Sequence, residues 1–129
     1  MDKRVILVVE NDSRERMQLQ SALGKTGFEV ETATDGLKAL TLIEKRCPDL
    51  IVAEVVLPNL DGMRLLKAVK GRKETMGIPV ILLTVKSETS SMVEGINSGA
   101  RFYVLKPYDM NDLVKKIKRA LDETSGRAC

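Results

Sequence analysis

Five short apolar runs alternate along the chain with stretches in which apolar residues recur every three or four positions. Val5-Ile6-Leu7-Val8-Val9 is continuous and largely β-branched, the pattern of a strand buried on both faces in a parallel sheet. Residues 50–53 and 80–83 repeat it, residues 102–105 do so more weakly, and Glu29-Val30-Glu31-Thr32-Ala33 alternates as an edge strand does. Between the runs the period is helical. Asp12-Ser13-Arg14-Glu15 reads as a capping box that opens a helix carrying Met17, Leu19, Ala22 and Leu23 and closing at Gly24 or Gly27. A second helix follows Asp35-Gly36 with Leu37, Leu40, Ile43 and Glu44 and ends before Pro48, and a third carries Met63, Leu65, Leu66 and Val69 up to Gly71. Residues 91–98 predict a fourth, ending at Gly99. A fifth opens at Asp109, sets Leu113, Ile117, Ala120 and Leu121 on one face and shows Lys115, Lys116, Lys118 and Arg119 on the other.

Strand and helix thus alternate five times, which predicts a doubly wound α/β domain with a parallel sheet between two helical layers. The 129 residues suit one domain over 1–123, with 124–129 as a tail or linker stub. In such a sheet, chemistry collects beyond the carboxyl ends of the strands. Those ends carry Glu10-Asn11-Asp12, Glu54, Thr84 and Lys106-Pro107. Glu54 is the odd member, a lone acid between Leu50-Ile51-Val52-Ala53 and Val55-Val56-Leu57. A buried unpaired carboxylate costs several kcal/mol, so Glu54 needs partners or a place facing a site.

Composition removes several kinds of chemistry. The chain has no histidine, which excludes histidine general bases, Ser-His-Asp and Cys-His nucleophile systems and histidine metal sites. Basic and acidic residues number 21 and 18, too balanced to argue for nucleic acid. Cys47 and Cys129 show no zinc or redox spacing and read as free thiols in a reducing cytoplasm. The apolar run 5–9 is too short for a signal peptide or a membrane span, so a cytoplasmic protein is expected.

The segments ILVVEND, ATDGLKAL, PDLIVAEVVLPNLDG, IPVILLT and GARFYVLKP, followed by the helix over 109–121, together resemble the response regulator receiver domain of two-component signalling over essentially the whole chain. The resemblance implies a flavodoxin-like (βα)5 fold with strand order 2-1-3-4-5. In receivers of the usual kind, an acidic pair after the first strand and an aspartate after the third hold Mg²⁺, and that aspartate accepts a phosphoryl group. The cation and positioned donors neutralise the transferring group. By the resemblance, Thr84 and Lys106 stand at the hydroxyl and lysine that bind the phosphoryl oxygens, with Pro107 after the lysine. Tyr103 stands at the aromatic switch, the Val56 carbonyl at a backbone metal ligand and Asp61-Gly62 at the turn after the third strand.

Three positions depart from that pattern. Glu54 replaces the acceptor aspartate, Asn11 replaces the second acid of the pair, and Val85 stands where a small residue is usual. The extra methylene of Glu54 moves its carboxylate by roughly 1 Å, a displacement that costs about a hundredfold in a positioned reaction. Asn11 offers only an amide oxygen, so Glu10, Asn11, Glu54 and the Val56 carbonyl are expected to hold Mg²⁺ weakly if at all. Val85 narrows the path of a phosphodonor. Asp12, adjacent to the altered pair, is read as the helix cap rather than as a replacement acid.

Two accounts of Glu54 follow. In the first it is a permanent stand-in for a phosphorylated aspartate, paired with Lys106 and Thr84, and the domain is a non-enzymatic module that signals by protein–protein contact. In the second it, or a nearby acid, still accepts a phosphoryl group with Mg²⁺. A flavin or nucleotide site of the same fold is disfavoured, because Glu10-Asn11-Asp12 would repel phosphate and aromatic residues make up only 3% of the chain. The expected partner is a signalling protein, whether a kinase, an output domain or a second copy. It would meet the face of the fourth helix, fifth strand and fifth helix, with no direct nucleic-acid or membrane role.

Overall fold

The computed structural model describes residues 3–85 and 90–123. The chain runs β1 (Val5–Val9), α1 (Ser13–Lys25), β2 (Glu29–Ala33), α2 (Gly36–Lys45), β3 (Leu50–Glu54), α3 (Gly62–Lys70), β4 (Val80–Val85), α4 (Ser90–Asn97), β5 (Phe102–Lys106) and α5 (Met110–Asp122). All strands pair in parallel in the order β2-β1-β3-β4-β5. This is the doubly wound, flavodoxin-like order that the resemblance to receiver domains implies. The expected tail over 124–129 lies outside the described residues.

The continuous apolar runs are continuous because each strand feeds two cores. Leu7, Val9, Ile51, Ala53, Val80 and Leu82 face α2 and α3, where Ala39, Ile43, Leu65, Leu66 and Val69 meet them. Ile6, Val8, Leu50, Val52, Ile81 and Leu83 face α1 and α5, packing on Leu19, Leu23, Leu113 and Ile117. β2 lies at one edge and only Ala33 of it is buried, which is why it alternates. Arg46 pairs there with Glu29 and, at 3.7 Å, with Glu31.

Register places the chemistry. Val9 stands opposite Ala53, so the next residues, Glu10 and Glu54, leave the sheet side by side. Glu54 pairs with Leu83, and Val85 with Lys106, which brings the ends of β1, β3, β4 and β5 to one edge of the sheet. The loop beyond β3 is pinned to the start of α2. Asp35 caps α2 by accepting from the Lys38 N–H, which holds its carboxyl below the usual range, and it also accepts from Asn59 Nδ2 at 2.8 Å.

Three local expectations need correction. Asp12 does cap α1, accepting from the Glu15 N–H at 2.9 Å, but no capping box forms, because the Glu15 side chain reaches Lys106 instead. The Asp12 N–H is met by Glu10 Oε2 at 3.2 Å. Gly24 does not end α1. The helix runs to Lys25 with Thr26 as its cap, and Gly27 takes the left-handed φ of +106° that the exit requires. Cys47 is not a free thiol but is disulfide-bonded, and Cys129 lies outside the described residues.

Candidate acidic site around Lys106

Three carboxylates, from the loop after β1, the end of β3 and the first turn of α1, converge on one ammonium group. Lys106, the last residue of β5, donates from Nζ to Glu10 Oε1 at 3.0 Å, lies 2.9 Å from Glu15 Oε1 and forms an ion pair with Glu54 Oε2. Glu10 and Glu54 are 3% and 5% exposed. Glu54 is therefore a buried charge with a partner, and the partner comes from the far end of the sequence. Arg16 fixes the loop carrying Glu10, donating from Nη1 to the carbonyls of Glu10 at 3.0 Å and Asn11 at 3.2 Å.

One lysine cannot neutralise three acids. Burial pushes the Glu54 carboxyl up to about 7, and the neighbouring charges of Glu10 and Glu15 add to this against the pull of Lys106. For Lys106, burial works to lower the ammonium pKa, but its hydrogen bonds to Glu54, Glu15 and Glu10 prevail and raise it. Tyr108, half-buried beside this cluster, is pushed up to about 12, chiefly by burial. An open cavity of about 470 Å³, lined by Glu15, Val85, Lys106 and Tyr108 among others, leads to the cluster.

These shifts carry a pH dependence. Folded Glu54 holds its proton up to about 7, against 4.5 for an ordinary glutamate, so the folded state binds more protons between those values and loses stability as pH rises through them. Chemical denaturation of the wild type is expected to show a fall of about 2 kcal/mol across that window. The Glu54→Gln variant should lack most of it, and an equal fall in both proteins would place the effect elsewhere.

The other candidate residues separate into those the fold draws in and those it leaves out. Thr84 is fully buried at the end of β4, with Oγ1 3.4 Å from the Val85 carbonyl, and it makes no hydrogen bond to Glu54 or Lys106. Tyr103 is half-buried against the core, its ring so close to α4 that a Cβ on Gly95 would lie 3.0 Å from it. Asn11 and Val85 are exposed, and Val56 is 59% exposed in the loop beyond β3. Asp61 caps α3 by accepting from the Arg64 N–H at 2.8 Å.

As arranged, the acids do not fit Mg²⁺. A hard divalent cation needs several oxygens around one point, but Lys106 Nζ already lies between Glu10 and Glu54, and the second Glu10 oxygen accepts from the Asp12 N–H. Among the described residues, no three acidic, histidine or cysteine side chains are grouped to hold a metal ion. Glu15 is the member that the sequence reading missed. Its signal was present: it is the only acid in the first turn of α1, five residues beyond Glu10.

Comparison with known proteins gives a consistent result. Residues 6–118 match the family described as the response regulator receiver domain. The chain is 34% identical over 119 residues to response regulator MprA of Mycobacterium tuberculosis (strain ATCC 25618 / H37Rv), an alignment covering 92% of this chain and 51% of MprA. It is 35% identical over 116 residues to the phosphate regulon transcriptional regulatory protein PhoB of Rhizobium meliloti, covering 90% and 51%. The chain thus spans about half the length of the curated relatives it matches. Among solved structures, the signal receiver domain of a signal transduction histidine kinase from Syntrophus aciditrophicus superposes with a TM-score of 0.89 at 32% identity, covering 95% of this chain and 93% of that one. A CheY-like receiver domain protein from Methanospirillum hungatei JF-1 gives 0.89 at 31%, covering 95% and 97%. Among the described residues, no helix is long and apolar enough to cross a membrane.

Proposed function

The chain belongs to the response regulator receiver domain family, and from that premise we propose that it is an atypical receiver that signals by phosphorylation-independent protein contact. The observation that carries the reading is the ion pair between Glu54 and Lys106. In this reading the longer acid at the acceptor position supplies, in its ionised form above about pH 7 and without phosphoryl transfer, the negative charge that Lys106 would otherwise find on a phosphoryl group. The Tyr103 ring, seated against Gly95, packs β5 onto α4.

The partner surface follows from the same elements. Ile96 of α4 and Leu105 of β5 are exposed, and α5 carries a basic patch of Lys115, Lys116 and Arg119 around Asp112. A signalling protein with an acidic, partly apolar face is the matching partner, whether kinase, output domain or second copy.

Intact-mass measurement tests the reading. Incubated with acetyl phosphate and Mg²⁺, the wild type is expected to keep its mass. The Glu54→Asp, Asn11→Asp double variant should gain one phosphoryl group, because it restores the short acceptor and the second acid. A gain in the wild type would instead establish the competing reading, a receiver still phosphorylated on Glu54 or a nearby acid.

A further inference from the structure

At the opposite end of β1 from Glu10, Lys3 and Arg4 meet Lys118 and Asp122 of α5 and the turn over residues 26–28 around an open cavity of about 470 Å³. Three cations face one acid there. Arg4 Nη1 is sealed from solvent with no hydrogen-bond partner. Neither Lys3, Arg4 nor Lys118 forms an ion pair among the described residues. A buried guanidinium donor left unmet is costly, and native proteins seldom leave one so without a reason.

We infer that this cavity binds a phosphate-bearing small molecule. A turn of the Arg4 side chain into the cavity would satisfy its unmet donor and set its forked guanidinium against two oxygens of one phosphate, and Lys3 and Lys118 can meet the remaining charge from the rim. Three cations against one acid leave two positive charges, which matches a phosphate dianion. The half-buried Phe28 and the buried Leu121 provide an apolar wall for whatever the phosphate is attached to. The cavity is separate from the Lys106 cluster by the length of β1, roughly 17 Å for five residues. The two ends also differ in sign, since the acid-rich end repels anions.

Titration of the whole chain with inorganic pyrophosphate, followed by ¹H–¹⁵N spectra, tests this. Saturable shifts are expected at residues 3–5 and 26–28. Arg4→Gln should weaken binding about tenfold, the loss of one charge-assisted contact. Lys118→Gln, an exposed change that leaves the core intact, should weaken it as well, whereas Arg119→Gln, on the same helix but outside the cavity, should not. Shifts that never saturate, a Lys118→Gln variant that binds as wild type does, or equal weakening by Arg119→Gln would each overturn the assignment.

Discussion

Lys106→Met is expected to lose about 3–5 kcal/mol of folding stability at pH 8, the usual cost of removing one partner from a buried charge cluster. Methionine keeps the length and flexibility of the lysine stem, so the loss reports the ammonium rather than a void. Without it, Glu10, Glu15 and Glu54 have no ion-pair partner among the described residues. The Glu54 carboxyl, already raised by burial, loses the opposing pull of Lys106 and binds its proton still more tightly than in the unfolded chain. The folded state holds more protons above the ordinary carboxylate range, and stability falls as pH rises. The deficit should therefore be largest at pH 8 and shrink towards pH 5, where folded Glu54 is protonated and no longer a charge without a partner. The wild type behaves differently at the alkaline end: its raised Lys106 contributes fully below the unfolded lysine value and loses that contribution as pH rises through the folded one. Urea midpoints at pH 5 and pH 8 check the prediction, and a loss of the same size at both would mean that the acids do not depend on Lys106.

The fold was legible because its signals are local. The run Val5–Val9 could be placed as a two-sided strand, and Asp109 as a helix cap, from their immediate neighbours alone. Strand order came through the family resemblance, since nothing in the runs themselves says which strand lies beside which. The site was legible only in part. Placing Glu10, Glu54 and Lys106 at strand ends was enough to bring them to one edge, because parallel strands end together. Which oxygen meets which nitrogen depends on contacts spanning 96 residues between Glu10 and Lys106. Glu15 shows the limit best. Its spacing from Asp12 fits a capping box, but a half-buried ammonium 2.9 Å away is a stronger partner for a carboxylate than a backbone N–H that Glu10 already satisfies. Arg4 is a similar case, for nothing in the opening residues marks its guanidinium as sealed and unmet.

Gly62→Ala is the second change with a large expected effect, about 3 kcal/mol of destabilisation. Asp61-Gly62 reads as a turn, which suggests that the glycine supplies backbone freedom. Its φ is not in the left-handed region, however, and the reason for glycine is space. A Cβ at this position would lie 2.2 Å from the Glu54 carbonyl oxygen and 2.9 Å from Val55 Cα, both backbone atoms that cannot rotate away. The start of α3 is thus packed directly on the end of β3, and the Gly62 N–H donates to the Val55 carbonyl at 2.9 Å. Relief of the clash requires α3 to move out or the end of β3 to move down, and the second displaces Glu54 from Lys106. Gly24→Ala is the matching control, because a Cβ there meets nothing within 4 Å inside a regular helix. It should stabilise the chain by about 0.5–1 kcal/mol. Opposite signs from one substitution at two glycines separate packing from propensity. If Gly62→Ala matched Gly24→Ala, the close approach of α3 to Glu54 would not be holding the acid in place, and Lys106 alone would have to do so.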